Sequence, residues 1–281
     1  DIQCDCLKTV EKWAYVWTRD LSYAADLSLA MFDPNRVVNS LNFKLSGFRD
    51  EAKLSENVFG HDGLQIIQDT GSGGSWPIST DRVTWAFGAE KVLNALEGDE
   101  KNEFSKTAYQ ALKNTVENDR LAAFDPVVGL YTGEQSFLDW REQTYAEWIV
   151  DDLSSMASSK ALSTNVAHYQ ALKLTAKLAI SHGTPEEVQR YKNWATKLKQ
   201  AINEHLWLED EGLYSSLTTG HLSDKPMHKF DWLGQSLAVL TGVADDKRAL
   251  QVLKNYPHGP MGAPVIFPQQ PDIPVYHNRA I

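Results

Sequence analysis

The chain has 281 residues, 42% hydrophobic and 23% charged, which is enough apolar content for a sizeable core in one large domain or two small ones. Its net charge of −10 argues against nucleic acid or an anionic membrane as the main partner, because both need a basic surface. No apolar run approaches the about 20 residues that span a bilayer, and the N-terminal DIQCDCLKTVEK lacks a basic-then-apolar signal pattern, which leaves periplasm and cytoplasm both open.

Helical signals dominate from the N-terminus onward. LSYAADLSLAMF (21–32) is rich in alanine and leucine, with Pro34 just past its end. DRVTWAFGAEKVLNAL (81–96) can be capped by Ser79, Thr80 or Asp81. A third helix is predicted over 101–117, ending near Asn118. A fourth, over 164–183, starts at a Ser/Thr cap and stops at Gly183. A fifth, over 185–207, opens with proline and two glutamates, as helix N-termini favour. Helices over 229–242 and 245–256 complete the set, and strand signals are confined to LYTGEQ and PVIFP.

Short connections at 97–100, 183–185 and 242–244 alternate with long ones at 46–80, 118–140, 208–228 and 257–281. Short turns between consecutive helices make helical hairpins. Long loops all leaving on the opposite side would build one functional face, the pattern of a toroid of hairpins. No exact internal repeat is visible, although Arg19-Asp20 and Asp81-Arg82 both precede a helix and hint at a reused unit. Cys4 and Cys6 form a C-x-C pair, which is expected to be neither a disulfide nor a metal site. The histidines lack paired ligand spacing, so neither a metal nor a cofactor is expected.

Four segments place an acid or amide beside an aromatic where a helix begins: WTRDLSYA (17–24), GSGGSWPISTDRVTW (71–85), SFLDWREQTY (136–145) and STNVAHY (163–169). Trp17, Trp76, Trp140 and Trp232 all neighbour polar or charged residues. Sugars stack their C–H faces on aromatic rings and present hydroxyls to carboxylates, amides and arginine, so this company suits a carbohydrate site. The GSGGS run is no phosphate loop, because no GK[ST] follows.

GEQSFLDWREQTYAEW (133–148) is the densest of these stretches, with Glu134, Asp139, Glu142 and Glu147 interleaved with tryptophan. Glycoside cleavage needs one protonated carboxyl and one ionised carboxylate. Asp139 and Glu142 are three apart and would share a helix face. Arg141 could hold one ionised while Trp140 shields the other and raises its pKa.

These residues resemble the six-hairpin glycosidases. YVWTRDLSYA looks like the W-T-R-D element of glucoamylases, whose arginine and aspartate grip the non-reducing-end sugar; Arg19 and Asp20 occupy those places. GEQSFLDWREQTY resembles the general-acid segment of trehalase-like and debranching-type members, with Asp139 matching best and Glu142 second. PVYHNRAI resembles a late Y-H-N-G or Y-W-R-G element, matched by Tyr276, His277 and Asn278, with Arg279 where glycine is usual. The likeness spans residues 13 to 281 and fits proteins described as glycogen debranching enzymes of the amylo-α-1,6-glucosidase type.

The resemblance implies an all-α (α/α)6 toroid. It also implies one catalytic domain over 1–281, expected to stop before its last helices, because about eight or nine helices are countable where twelve are needed. The implied activity is exo-acting, inverting hydrolysis of an α-linked glucan or related oligosaccharide. Asp139 would be the general acid, and the general base would lie beyond the chain end. Trp17, Arg19, Asp20, Trp76, Asp81, Arg82, Glu134, Trp140, Arg141, Asn165, His168, Asp231, Trp232, Tyr276, His277 and Asn278 would bind or wall the substrate. An inverting sugar phosphorylase on the same fold and a non-catalytic sugar-binding toroid are the alternatives.

Overall fold

The computed structural model describes residues 4–9, 11, 15–46, 63–69, 76–136, 152–219, 223–269 and 277–278. The chain divides into two compact units. One comprises residues 1–69, 81–122 and 167–195, and the other comprises 70–80, 123–166 and 196–281.

In the first unit, α1 (Thr18–Ala24) runs into a π-helical stretch, Ala25–Leu29, and a last turn, α2 (Ala30–Phe32). Pro34 does not merely end this helix. It opens α3 (Pro34–Phe43), because proline's fixed φ suits the first helical position. The Asp33 side chain caps that start by accepting from Arg36 N–H at 3.2 Å.

A 3-10 turn over Asp81–Thr84 leads into α4 (Trp85–Ala95). Gly88 lets α4 press against α1, since a Cβ there would meet Ser22 Cα and Ala25 Cβ at 3.3 Å. Fully buried Trp85 donates its indole N–H to Leu41 O at 3.1 Å. The predicted third helix is longer than expected: α5 runs Gly98–Ala122, because Asn118 and Asp119 are buried rather than terminal. A single bridge, Leu45↔Ile66, ties the end of the first hairpin to the extended segment 63–69.

α6 (Leu153–Ser158) precedes two long helices, α7 (Leu162–His182) and α8 (Pro185–His205), which contribute to both units. In the first unit α5 and α8 are clamped by charge and rings. Tyr109 donates to Glu187 at 2.9 Å, Tyr191 donates to Glu117 at 2.5 Å, and the Arg120 guanidinium lies 4.9 Å from the Trp194 ring centre.

The second unit contains more strand than the sequence suggests, all of it in two-residue pieces too short to show alternation. β1 (Phe124–Asp125) pairs with β2 (Leu130–Tyr131), and β3 (Trp207–Leu208) pairs with β4 (Leu213–Tyr214). The two hairpins are copies of one design. Phe124 opposes Tyr131 and Trp207 opposes Tyr214, with ring centres 5.2 and 4.8 Å apart. Gly129 and Gly212, at φ of +81° and +62°, close the loops and donate to Asp125 O and Leu208 O respectively.

Each tyrosine's backbone is then clamped by a carboxamide from a later helix. Asn165 accepts from Tyr131 N–H at 2.8 Å and donates to Tyr131 O at 2.9 Å. Gln235 accepts from Tyr214 N–H at 3.1 Å and donates to Tyr214 O at 2.5 Å.

β5 (Phe230–Asp231) leads into α9 (Trp232–Leu240), and α10 (Asp246–Asn255) follows. Asp231 and Asp245 cap these helices by accepting from Gly234 N–H at 2.6 Å and Arg248 N–H at 2.9 Å. β6 (Ala263–Pro264) pairs with β8 (His277–Asn278), while β7 (Ile266–Phe267) pairs with β5. Cys4 and Cys6 are joined as a disulfide with Cα atoms 5.2 Å apart, against the expectation from their spacing. No described helix is long and apolar enough to cross a membrane.

Candidate active site

The first unit brings Arg19, Asp81 and Arg82 to one place, with a group of charges the sequence does not reveal. α1 begins at Thr18, whose amide donates to Asp69 Oδ2 at 2.8 Å. The other Asp69 oxygen meets Lys44 Nζ at 2.5 Å. Lys44 is fully buried and also donates to Tyr15 OH at 3.2 Å, with Trp17 edge-on to the Tyr15 ring at 4.9 Å. Arg19 faces Asp81, Nε to Oδ2 at 3.4 Å, with side chains 11% and 5% exposed. Asp20, half-buried, follows on the same helix.

Arg82, expected to contact sugar, turns into the interior. It donates through Nη2 to Asp119 Oδ1 and through Nη1 to Ile66 O, both at 2.8 Å. His168 is fully buried beside that pair. Burial pushes its pKa down to about 4, the Asp119 charge pulls it up, and Arg82 pushes it further down, so the imidazole is neutral at pH 7.

The remaining expected residues belong to the second unit. Glu134 is fully buried; its N–H donates to Ile78 O at 3.1 Å and its carbonyl accepts from Thr164 Oγ1 at 2.8 Å. Gly133 before it sits at φ +122°, where a Cβ would collide with the Ile78 carbonyl oxygen, so only glycine suits the position. Asn165 spends its amide on Tyr131 and on Ala161 O at 2.9 Å. Asp231 is fully buried as the α9 cap. Trp232 is nearly buried, with ring centres 4.8 Å from Tyr256 and 5.2 Å from His258.

Trp76 is half-buried and precedes a cis peptide bond to Pro77. His277 and Asn278 form β8 with their backbones. Asp139, Trp140, Arg141, Glu142 and Tyr276 lie outside the described residues. Lys160, not anticipated from sequence, is buried between Asp125 and Asp224, with Nζ 3.2 and 2.6 Å from their carboxylates. Among the described residues, no group of three His, Cys, Asp or Glu is placed to hold a metal.

Lys44, Gln68, Asp69 and Asp119 escape a sequence reading because each is tied to a partner 13 or more positions away, beyond any helical or strand period. The signal available is weak: a lysine at the end of an amphipathic helix and a Gln-Asp pair in a linker.

These features place the chain among known folds. The model of the bacterial α-L-rhamnosidase six-hairpin glycosidase domain matches residues 64–256, and the chain belongs to that family. Its fold is that of the six-hairpin glycosidases, an all-α (α/α)6 toroid, as the sequence leads one to expect.

A rhamnosidase of the GH78 family from Bacillus sp. GL1 superposes with TM-score 0.55 at 17% identity, covering 83% of this chain and 22% of that one. The rhamnosidase from Klebsiella oxytoca, solved with rhamnose bound, gives 0.54 at 18% identity, covering 85% and 40%. A GH63 mannosylglycerate hydrolase from Thermus thermophilus, in complex with glucose, gives 0.64 at 13% identity, covering 95% and 77%. The chain thus spans well under two thirds of both rhamnosidases. No curated protein matches it by sequence.

Proposed function

We propose that the protein is an inverting glycoside hydrolase that removes a terminal sugar from an α-linked oligosaccharide. The observation that carries this reading is the family match across residues 64–256, the span that holds Asp81, Asp139 and Asp231. Asp139 protonates the glycosidic oxygen, with Glu142 as the second candidate. Arg19 and Asp81 offer a donor fork and an acceptor carboxylate, the two groups that vicinal sugar hydroxyls take together. Trp17, two residues before Arg19, supplies an apolar face for the ring. Inversion requires acid and base carboxyls about 6.5–9.5 Å apart, leaving room for the attacking water. The relatives' names direct the first substrates to terminal α-L-rhamnose, and the glucoamylase-like W-T-R-D element keeps α-D-glucose beside it. Residues 1–281 are read as belonging to one catalytic domain.

The test is proton NMR of products released from 4-nitrophenyl α-L-rhamnopyranoside, 4-nitrophenyl α-D-glucopyranoside and α-linked gluco-oligosaccharides. Release of the inverted anomer by the wild type and its loss in Asp139→Asn are expected. Undiminished turnover in that variant would move the acid to Glu142 or elsewhere, and a retained anomer would refute inversion.

A further inference from the structure

Gln68 lies in the extended segment 63–69, brought beside the α1 start by the Leu45↔Ile66 bridge and by Ile67 N–H donating to Lys44 O at 2.8 Å. Its amide does two jobs at once. Nε2 donates to Asp81 Oδ1 at 2.7 Å, and Oε1 accepts from Arg82 N–H at 2.9 Å. Nε2 also reaches Asp69 O at 2.7 Å. The carboxylate of Asp81 is thereby pinned by one oxygen, and its other oxygen is the one that meets Arg19.

The neighbouring Asp69 holds the opposite side of the same pair. It accepts from the amide of Thr18, the residue before Arg19, and it is itself held by buried Lys44. Adjacent residues of one linker therefore fix both halves of the Arg19–Asp81 pair: Gln68 fixes the carboxylate and Asp69 the backbone that leads into the guanidinium's residue. Ordering an acid and a guanidinium 3.4 Å apart beforehand lowers the entropic cost of gripping a sugar.

We propose that Gln68 is a positioning residue for the Arg19–Asp81 sugar grip, setting the affinity of the site for the terminal sugar's hydroxyls. This rests on reading that pair as a sugar contact.

The sharpest variant is Gln68→Glu. Protonated, the new carboxyl keeps two of the three bonds: its O–H donates to Asp81 Oδ1 and its other oxygen accepts from Arg82 N–H, while the bond to Asp69 O is lost at every pH. Ionised, it sets two carboxylates against each other at hydrogen-bond distance. That repulsion raises the pKa of the introduced group, while Arg19 across Asp81 and Lys44 behind Asp69 oppose the rise. The variant is thus a pH-conditional copy of the wild type in its bonds to Asp81 and Arg82.

The experiment is isothermal titration of the 281-residue chain with L-rhamnose and D-glucose from pH 5 to 8, for wild type, Gln68→Glu, Gln68→Met and Asp81→Asn. The wild-type Kd should be flat across this range. Gln68→Glu should bind like wild type at the acid end and roughly tenfold more weakly at the alkaline end, the loss of about one charge-assisted hydrogen bond. Gln68→Met should be weak at every pH; if it does not fold, the pH series of Gln68→Glu decides alone. A merely structural glutamine would shift the melting temperature of Gln68→Glu with pH and leave its Kd flat. That result, with Asp81→Asn still weakened, would overturn the inference and spare the sugar-contact reading. Unchanged binding in Asp81→Asn, or no binding of either sugar by the wild type, would overturn both.

Discussion

Replacing Asp119 by leucine removes one member of a buried ion pair and leaves the other. Asp119 is fully buried and Arg82 is 5% exposed, so water cannot reach the stranded guanidinium. Orphaning a buried charge in this way costs about 3–5 kcal/mol. Arg82 keeps its bond to Ile66 O, which places the expected loss at the lower end, about 3 kcal/mol. The double variant Arg82→Met with Asp119→Leu removes both charges and keeps the volume. It forfeits the Ile66 bond, about 1 kcal/mol. Urea denaturation at pH 7, where His168 is neutral, measures both. The reasoning fails if Asp119→Leu loses less than about 1 kcal/mol, or if the double variant is no more stable than the single one.

His168 gives a prediction with a definite sign. Its folded pKa lies near 4 against 6.5 ordinarily, chiefly through burial, so between those values the unfolded chain binds more protons and stability falls as pH drops. The slope approaches ~1.4 kcal/mol per pH unit and should be missing in His168→Gln. Unfolding followed from about pH 7 down to about 4.5 tests this, and parallel curves would refute it. The paired clamps give another: Asn165→Leu and Gln235→Leu each strand a buried tyrosine N–H and should each cost about 1–3 kcal/mol in thermal or urea unfolding. If Asn165→Leu instead weakens sugar binding without loss of stability, its assignment as a scaffold residue is wrong.

Most helices are legible in the sequence because caps and periodicity are local. Pro185 with Glu186 and Glu187, Gly183, and the Asp245 cap all act within one turn, and the corresponding helices appear within a few residues of their expected bounds. α3 escapes because Asp33-Pro34 reads as a stop, although the same pair is a good start. LYTGEQ and PVIFP do contain β2 and β7, whereas β1, β3 and β4 escape because two residues carry no alternation. The site is half legible. Arg19 and Asp81 stand out by their motifs and do meet. Their supports, Gln68 and Asp69, are invisible because a hydrogen bond closed over 13 or 51 positions leaves no trace in a local window. Asn165 shows the reverse limit: a polar residue at a helix start looks the same from sequence whether it holds a ligand or the neighbouring backbone.

The twin hairpins separate architecture from chemistry. Each is specified by an aromatic, a Gly-Leu-Tyr and one carboxamide supplied from a later helix, and neither of the proposed acids, Asp139 and Glu142, belongs to them. A descendant that lost its acids would keep this signature and its shape, while one that changed its sugar could rewrite the loops without touching it. Gly-Leu-Tyr read with its distant amide therefore reports the shape of the hairpin and not the sugar that is cleaved.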